Sequence, residues 1–345
     1  MKKAAFIAGL LLLVVACKKG AEVLPDLSTL FTGFIKPADF PDPVYDVVAN
    51  PVSEAQFELG KKLFNDARLS RNNTIACSSC HIQSSGFTQH GHDVSHGVDD
   101  RLGTRNSPQI MNLAWNKAFF WDGGVTDLDL QPMAPIENPV EMDEKVPNIL
   151  EKLRADSKYP GLFKDAYGTD EITSSRFLKS LSAYMIMLIS DQSKYDSVRR
   201  KQAIFTVAEQ RGYTVFKKKC ASCHTEPLFT DHSYRNNGLA PSAINDLGRY
   251  SITLNASDRY KFKVPSLRNL QYTGPFMHDG RILNLAGVLD HYTGEVTDQG
   301  TLDPLLKQAD GSLGISLTDA DKSDLLSFLN TLNDHTFVRN KLFEP

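Results

Sequence analysis

The pentapeptide Cys-x-x-Cys-His occurs twice, as Cys77-Ser-Ser-Cys80-His81 and Cys220-Ala-Ser-Cys223-His224, and it uses four of the chain's five cysteines. No other feature restricts the fold as much. The two thiols of such a motif form thioether links to the vinyl groups of a haem, and the adjacent histidine sits under the iron as an axial ligand. CxxC alone leaves zinc, a redox disulfide and haem open. A structural zinc site closes four ligands around one ion, and these two motifs stand more than a hundred residues apart. Plain CxxC turns in an exported protein would be oxidised or cross-linked. The trailing histidine, present twice, points to covalent haem c at Cys77, Cys80 and His81 and again at Cys220, Cys223 and His224.

The N-terminus agrees with the compartment in which haem c is attached. Lys2 and Lys3 precede the apolar run Phe6 to Val15, and Val14-Val15-Ala16 leads into Cys17. This predicts a secretion signal ending in a lipoprotein cleavage box, with residues 1–17 comprising the signal and the lipidated cysteine. The apolar run is too short to span a bilayer comfortably. The expected location is the periplasmic side of a bacterial membrane, held by a lipid anchor. Residues 18–50 read as a polar, Pro-containing tether. The remaining length of this 345-residue chain suits two haem domains, 51–200 and 201–345. The formal net charge of −3 becomes −5 once Lys2 and Lys3 leave. Nothing resembles a basic stripe, which argues against a nucleic-acid partner. A mildly acidic face would attract a basic electron-donor protein.

Helix signals dominate the chain. Ser53-Glu-Ala-Gln56 is a capping box opening an amphipathic segment through Phe57, Leu59, Leu63 and Phe64. Phe177, Leu178, Leu181, Tyr184, Met185 and Leu188 recur at helical spacing. Thr206-Val-Ala-Glu209 repeats the box before the second haem motif, and Thr318-Asp-Ala-Asp321 opens a last helix. Segments 84–107 and 225–263 are rich in Gly, Asn, Asp and His and read as loops around haem edges. The predicted fold is mainly α, with two cytochrome c-like haem domains, long loops and little strand.

Several motifs carry a more specific likeness. Leu59-Gly-Lys-Lys-Leu-Phe-Asn-Asp-Ala-Arg-Leu-Ser70, Arg105-Asn-Ser-Pro108, Phe120-Trp-Asp-Gly123, Val140-Glu-Met142, Val264-Pro-Ser-Leu-Arg-Asn269 and His278-Asp-Gly280 resemble the bacterial dihaem cytochrome c peroxidases. They equally resemble the related methylamine-utilisation dihaem oxidases of the MauG type. The resemblance runs from about Pro51 to the C-terminal helix.

This resemblance implies an oxidoreductase that takes electrons from a small cytochrome c or cupredoxin at the His224 haem. It then reduces H2O2 at the His81 haem. Glu141 matches the catalytic glutamate. Gln131 matches its companion, ten residues before Glu141 and ten after Trp121. Trp121 matches the tryptophan between the haems. In resting peroxidases a loop histidine closes the peroxidatic iron. Ser95-His96-Gly97 stands at that place, in a stretch slightly longer than the family pattern, so His96 is the first candidate. His90, His92 and a loop without a ligating histidine, as in the MauG type, remain open. On the second haem the peroxidases carry a methionine, but the corresponding position here is Tyr292, fourteen residues after His278. A tyrosine there is similar to the MauG type; Met277 is the alternative ligand. Asn106 with the Thr273-Gly-Pro275 turn matches a calcium site between the haems, where neutral oxygens suit Ca²⁺. Family peroxidases are often homodimers, which makes self-association an expectation.

Overall fold

Each of the three capping boxes starts a helix. Ser53 Oγ accepts from the Gln56 amide at 3.2 Å, while Gln56 Oε1 accepts from the Ser53 amide at 3.1 Å, opening the helix Glu54–Phe64. The same reciprocal bonds open Val207–Lys219 at Thr206 and Asp319–Asn330 at Thr318. They satisfy amide groups that a helix start otherwise leaves unpaired. The Phe177 periodicity becomes the helix Ser174–Ile186, capped by Thr173. The structure, a computed structural model, describes residues 31–345. The predicted signal and Cys17 lie outside the described residues. None of the described helices is long and apolar enough to cross a membrane.

The two halves repeat one packing solution. The helix Glu54–Phe64 crosses Ser174–Ile186 at Gly60, where an added Cβ would come within 1.9 Å of the Ser180 carbonyl oxygen. The helix Val207–Lys219 crosses Asp319–Asn330 at Gly212, where a Cβ would come equally within 1.9 Å of the Asp324 carbonyl oxygen. Backbone touches backbone at both crossings, and only glycine permits it. Each haem motif follows the first helix of its pair. One apolar core gathers Phe57, Leu63, Phe64, Phe177, Leu181 and Tyr184; a second gathers Tyr195, Phe216, Phe229, Leu325 and Phe328. Strand is confined, among the described residues, to the antiparallel pair Tyr234–Arg235 and Phe262–Lys263, with Tyr234 opposite Lys263. The fold is therefore mainly helical, as expected.

Two segments behave differently from the plain reading of their sequence. Within the predicted tether, Phe40 packs edge-on against Trp115 at 5.0 Å, and Trp115 Nε1 donates to the Pro41 carbonyl at 2.8 Å. Isolated aromatics leave no periodic signal, yet each buries well against a large ring. At the other end, Phe337 and Phe343 return to the first core and pack on Phe87 at 5.5 and 6.3 Å. The two units are further joined through Val264-Pro-Ser-Leu-Arg-Asn269. Arg268 is fully buried and holds Asp196 through two bonds of 2.9 and 2.8 Å, while also donating to the Pro227 carbonyl. Asn269 Nδ2 donates to Ser190 Oγ at 3.0 Å, and its Oδ1 accepts from the Asp334 amide at 2.7 Å.

Candidate active site

Cys77–Cys80 form one helical turn that ends at His81. His81 Nδ1 donates to the Phe87 carbonyl at 2.9 Å. That bond fixes the ring and leaves Nε2 as the ligating atom, the usual arrangement for a metal-bound imidazole. His224 is held alike, its Nδ1 facing the carbonyls of Phe229 at 3.1 Å and Pro265 at 3.2 Å. Burial lowers the pKa of both imidazoles, which keeps them neutral and able to bind iron. All four motif thiols are free rather than paired as disulfides. Free thiols beside an oriented histidine fit covalent haem at both motifs.

The first motif has a carboxylate in reach. The charge of Glu141 acts on both Cys77 and Cys80. Burial raises the Glu141 pKa, opposed by a hydrogen bond of 2.7 Å from Asn138 Nδ2 to its Oε1. Gln131 closes the turn before the helix Met133–Glu137, its amide donating to the Leu128 carbonyl at 3.2 Å. The bond to Glu141 comes from Asn138, a residue the sequence reading passed over. A local signal for it exists: the Val140 amide donates to Asn138 Oδ1 at 3.2 Å and the Glu141 amide to the Asn138 carbonyl at 3.0 Å. This is a turn that Asn-Pro sequences favour.

The His96 loop lies directly on Glu141. The Val98 amide donates to the Glu141 carbonyl at 2.7 Å, and a Cβ on Gly97 would come within 2.2 Å of the Val140 carbonyl oxygen. His96 Nδ1 is bonded to Asp100 Oδ1 at 2.6 Å, and its ring lies 4.8 Å from that of His92. Nε2 is the nitrogen that remains for a ligand.

A deep cavity adjoins the second motif, with Cys220, Cys223, His224, Tyr292, Met277 and Trp121 in its wall. Tyr292 stands in a five-residue π-turn, His291–Glu295, directly after the helix Leu285–Asp290. Irregular turns of this kind cluster at functional sites. Burial pushes the Tyr292 phenol up to about 12, while a hydrogen bond with Asn237 favours the ionised oxygen. Asn237 Nδ2 also donates to Met277 Sδ at 3.4 Å. The two candidate ligands therefore converge on one asparagine, which sequence reasoning had no way to single out.

Trp121 lies where the two units meet. Its Nε1 donates to the Asn106 carbonyl at 2.9 Å, and its own carbonyl accepts from the Lys263 amide at 2.7 Å. Asn106 Nδ2 donates to the Asp93 carbonyl at 3.0 Å, which leaves Oδ1 as the atom a cation would use. Asn106, Thr273 and Pro275 all border the same cavity. Three neutral oxygen donors fit calcium better than a transition metal. Arg105 braces this junction by binding Asp246 at 2.6 and 2.9 Å and Asp122 at 2.6 Å.

Comparison with known proteins shows likeness over most of the chain. A family model described as di-haem cytochrome c peroxidase matches residues 54–203. The methylamine utilization protein MauG of Methylorubrum extorquens is 35% identical over 320 residues, covering 89% of this chain and 85% of the relative. A cytochrome c551 peroxidase of Nitrosomonas europaea is 36% identical over 246 residues, covering 69% of this chain and 73% of the relative. Among solved structures, a MauG-like protein associated with microbial copper homeostasis superposes with a TM-score of 0.80 at 32% identity. It is matched over 90% of this chain and 98% of its own.

Proposed function

Since this chain belongs to the dihaem cytochrome c peroxidase and MauG family, an oxidoreductase family carrying two haem c groups, we propose that it reduces H2O2 to water. The electrons come from a small c-type cytochrome or cupredoxin, enter at the His224 haem and are used at the His81 haem. The observation that carries this reading is Glu141, a partly desolvated carboxylate within electrostatic reach of both Cys77 and Cys80. Iron at His81 supplies the electron chemistry of O–O cleavage. The protein must then move a proton from one peroxide oxygen to the other, which needs a positioned base whose pKa lies nearer to neutrality than that of an exposed glutamate. Glu141 takes that role and Asn138 orients it. Gln131 is assigned the accompanying distal position. Trp121, bonded to Asn106 and bordering the cavity beside the second motif, serves as the bridge between the two haem sites. His96 closes the first site at rest and leaves with its loop, whose backbone is bonded to Glu141.

Calcium held by Asn106, Thr273 and Pro275 would stiffen the junction around Trp121. The enzyme is placed on the periplasmic side of a bacterial membrane, anchored through Cys17. The test is Glu141→Gln: peroxide turnover should fall by about 10²- to 10⁴-fold, the range for loss of a general base, with both haem spectra retained. Unchanged turnover would remove Glu141 from the mechanism.

A second reading is favoured by Tyr292. An oxygen ligand on the second iron stabilises Fe(III) and lowers the potential relative to a thioether. Such a site suits an oxidase that draws electrons from a protein or small-molecule substrate. Tyr292 faces the cavity together with Met277, and its bond to Asn237 favours the anion.

A further inference from the structure

The cationic side chains around the cavity beside the second motif are unequally partnered. Arg235 is neutralised by Asp231 and Asp303, both at 2.8 Å. Arg105, near the Trp121 end, takes Asp122 and Asp246. Lys263 borders the same cavity, and its Nζ donates only to the Ala118 carbonyl, at 3.0 Å. Among the described residues no carboxylate pairs with it. Burial alone therefore pushes its pKa down to about 8. His232 also borders the cavity; burial, with the charges of Lys263 and Lys117, drives its pKa down to about 4 and keeps it neutral. An ammonium withdrawn from water without a counter-ion is costly. A neutral imidazole beside it adds a donor and no negative charge.

Lys263 and His232 thus put two nitrogen groups and no carboxylate of their own on one stretch of the cavity wall. The Lys263 amide donates to the Trp121 carbonyl at 2.7 Å, and its ammonium donates to the Ala118 carbonyl, three residues before Trp121, so both ends of the residue are tied to the segment that carries Trp121. The charges felt by the attachment thiols are those of Lys219, Arg235, Asp231 and Asp303, whereas Lys263 acts on His232. Thioether bonds to Cys220 and Cys223 fix one edge of a porphyrin, and its two propionates leave from the other edge.

We propose that Lys263, assisted by His232, is the propionate clamp of the second haem. The clamp holds the carboxylate-bearing edge at the Trp121 side, and its positive charge raises the potential of that haem. Lys263 is a positioning residue that touches the cofactor's carboxylate and not its iron. The inference rests on covalent haem at Cys220, Cys223 and His224. It is independent of whether the protein works as a peroxidase or as an oxidase.

The test is a spectroelectrochemical titration of the second haem in Lys263→Gln and Lys263→Arg, each purified with both haems attached. Gln keeps a donor for the Ala118 carbonyl but carries no charge; Arg keeps the charge. In K263Q the Fe(II)/Fe(III) equilibrium should move tenfold or more toward Fe(III), a midpoint lower by at least 59 mV for a one-electron couple. In K263R it should move less than threefold. An unchanged midpoint in K263Q, or equal shifts in both variants, would overturn the clamp and leave Lys263 as a strap for the Ala118 loop. Should K263Q fail to accumulate, the unsubstituted protein labelled with ¹⁵N-lysine decides the matter. One slowly exchanging Nζ signal shifted by the ferric haem is expected. If every lysine Nζ exchanges freely, the proposal is wrong.

Discussion

Replacing Asp196 with Asn should be among the most destabilising single changes in this chain, because of what it leaves behind. Arg268 and Asp196 have side-chain exposures of 0% and 2% and meet through two parallel bonds of 2.9 and 2.8 Å. The guanidinium also lies over the rings of Phe40 and Phe229, at 5.0 and 5.6 Å. Water cannot replace a lost carboxylate in that setting. Breaking a buried pair by removing one partner costs about 3–5 kcal/mol. At roughly 2–4 °C per kcal/mol for units of this size, the melting midpoint should drop by about 6–20 °C. Calorimetry of the haem-loaded protein at pH 7 measures this directly. Burial pushes the Asp196 pKa up, but the bonds and charge of Arg268, with those of Ser193, outweigh burial and hold it below the ordinary value. A folded pKa below the unfolded one gives stability that is present above about pH 4 and lost as pH falls through the folded value. The difference in stability between wild type and D196N should therefore shrink in acid. A double variant with Asp196→Leu and Arg268→Met should recover most of the loss, since neither charge is stranded. A D196N cost below about 1 kcal/mol at pH 7 would refute the argument, because that is the range of an exposed pair.

Two further outcomes follow from the site. Asn138→Ala removes the bond that favours ionised Glu141, so the acid limb of kcat/KM should move to higher pH and the plateau should fall; an unmoved limb would detach Asn138 from the catalytic base. Tyr292→Phe removes the oxygen at the cavity beside the second motif; the optical and EPR spectra of the second haem should change and its midpoint should rise, whereas identical spectra and midpoint would make Tyr292 a packing residue.

What the sequence disclosed was written in local chemistry. The capping boxes at Ser53, Thr206 and Thr318 are satisfied within four residues, so the helix starts could be read without knowing the fold. The haem motifs are equally local. Gly60 and Gly212 could not be recognised as helix-crossing points, because what makes them necessary is a carbonyl more than a hundred residues away. The same holds for Asn237 and Lys263, whose meaning comes from Met277, Tyr292, Trp121 and Ala118 brought alongside. Phe40 was read as part of the tether and Phe343 as part of the second haem domain, yet both lie in the first core. Asn138 was the nearest miss: its turn is local, yet its bond to Glu141 becomes visible only in the folded chain.

The most direct test of the central claim is steady-state H2O2 consumption with reduced small cytochrome c as donor and calcium present. It should be measured on the protein as isolated and again after one-electron pre-reduction. The account predicts slow turnover in the first state and fast turnover in the second, when the His96 loop has left the first site. Negligible turnover in both states, with peroxide nonetheless oxidising the haems to a long-lived form, would contradict the peroxidase reading and transfer the function to the oxidase suggested by Tyr292.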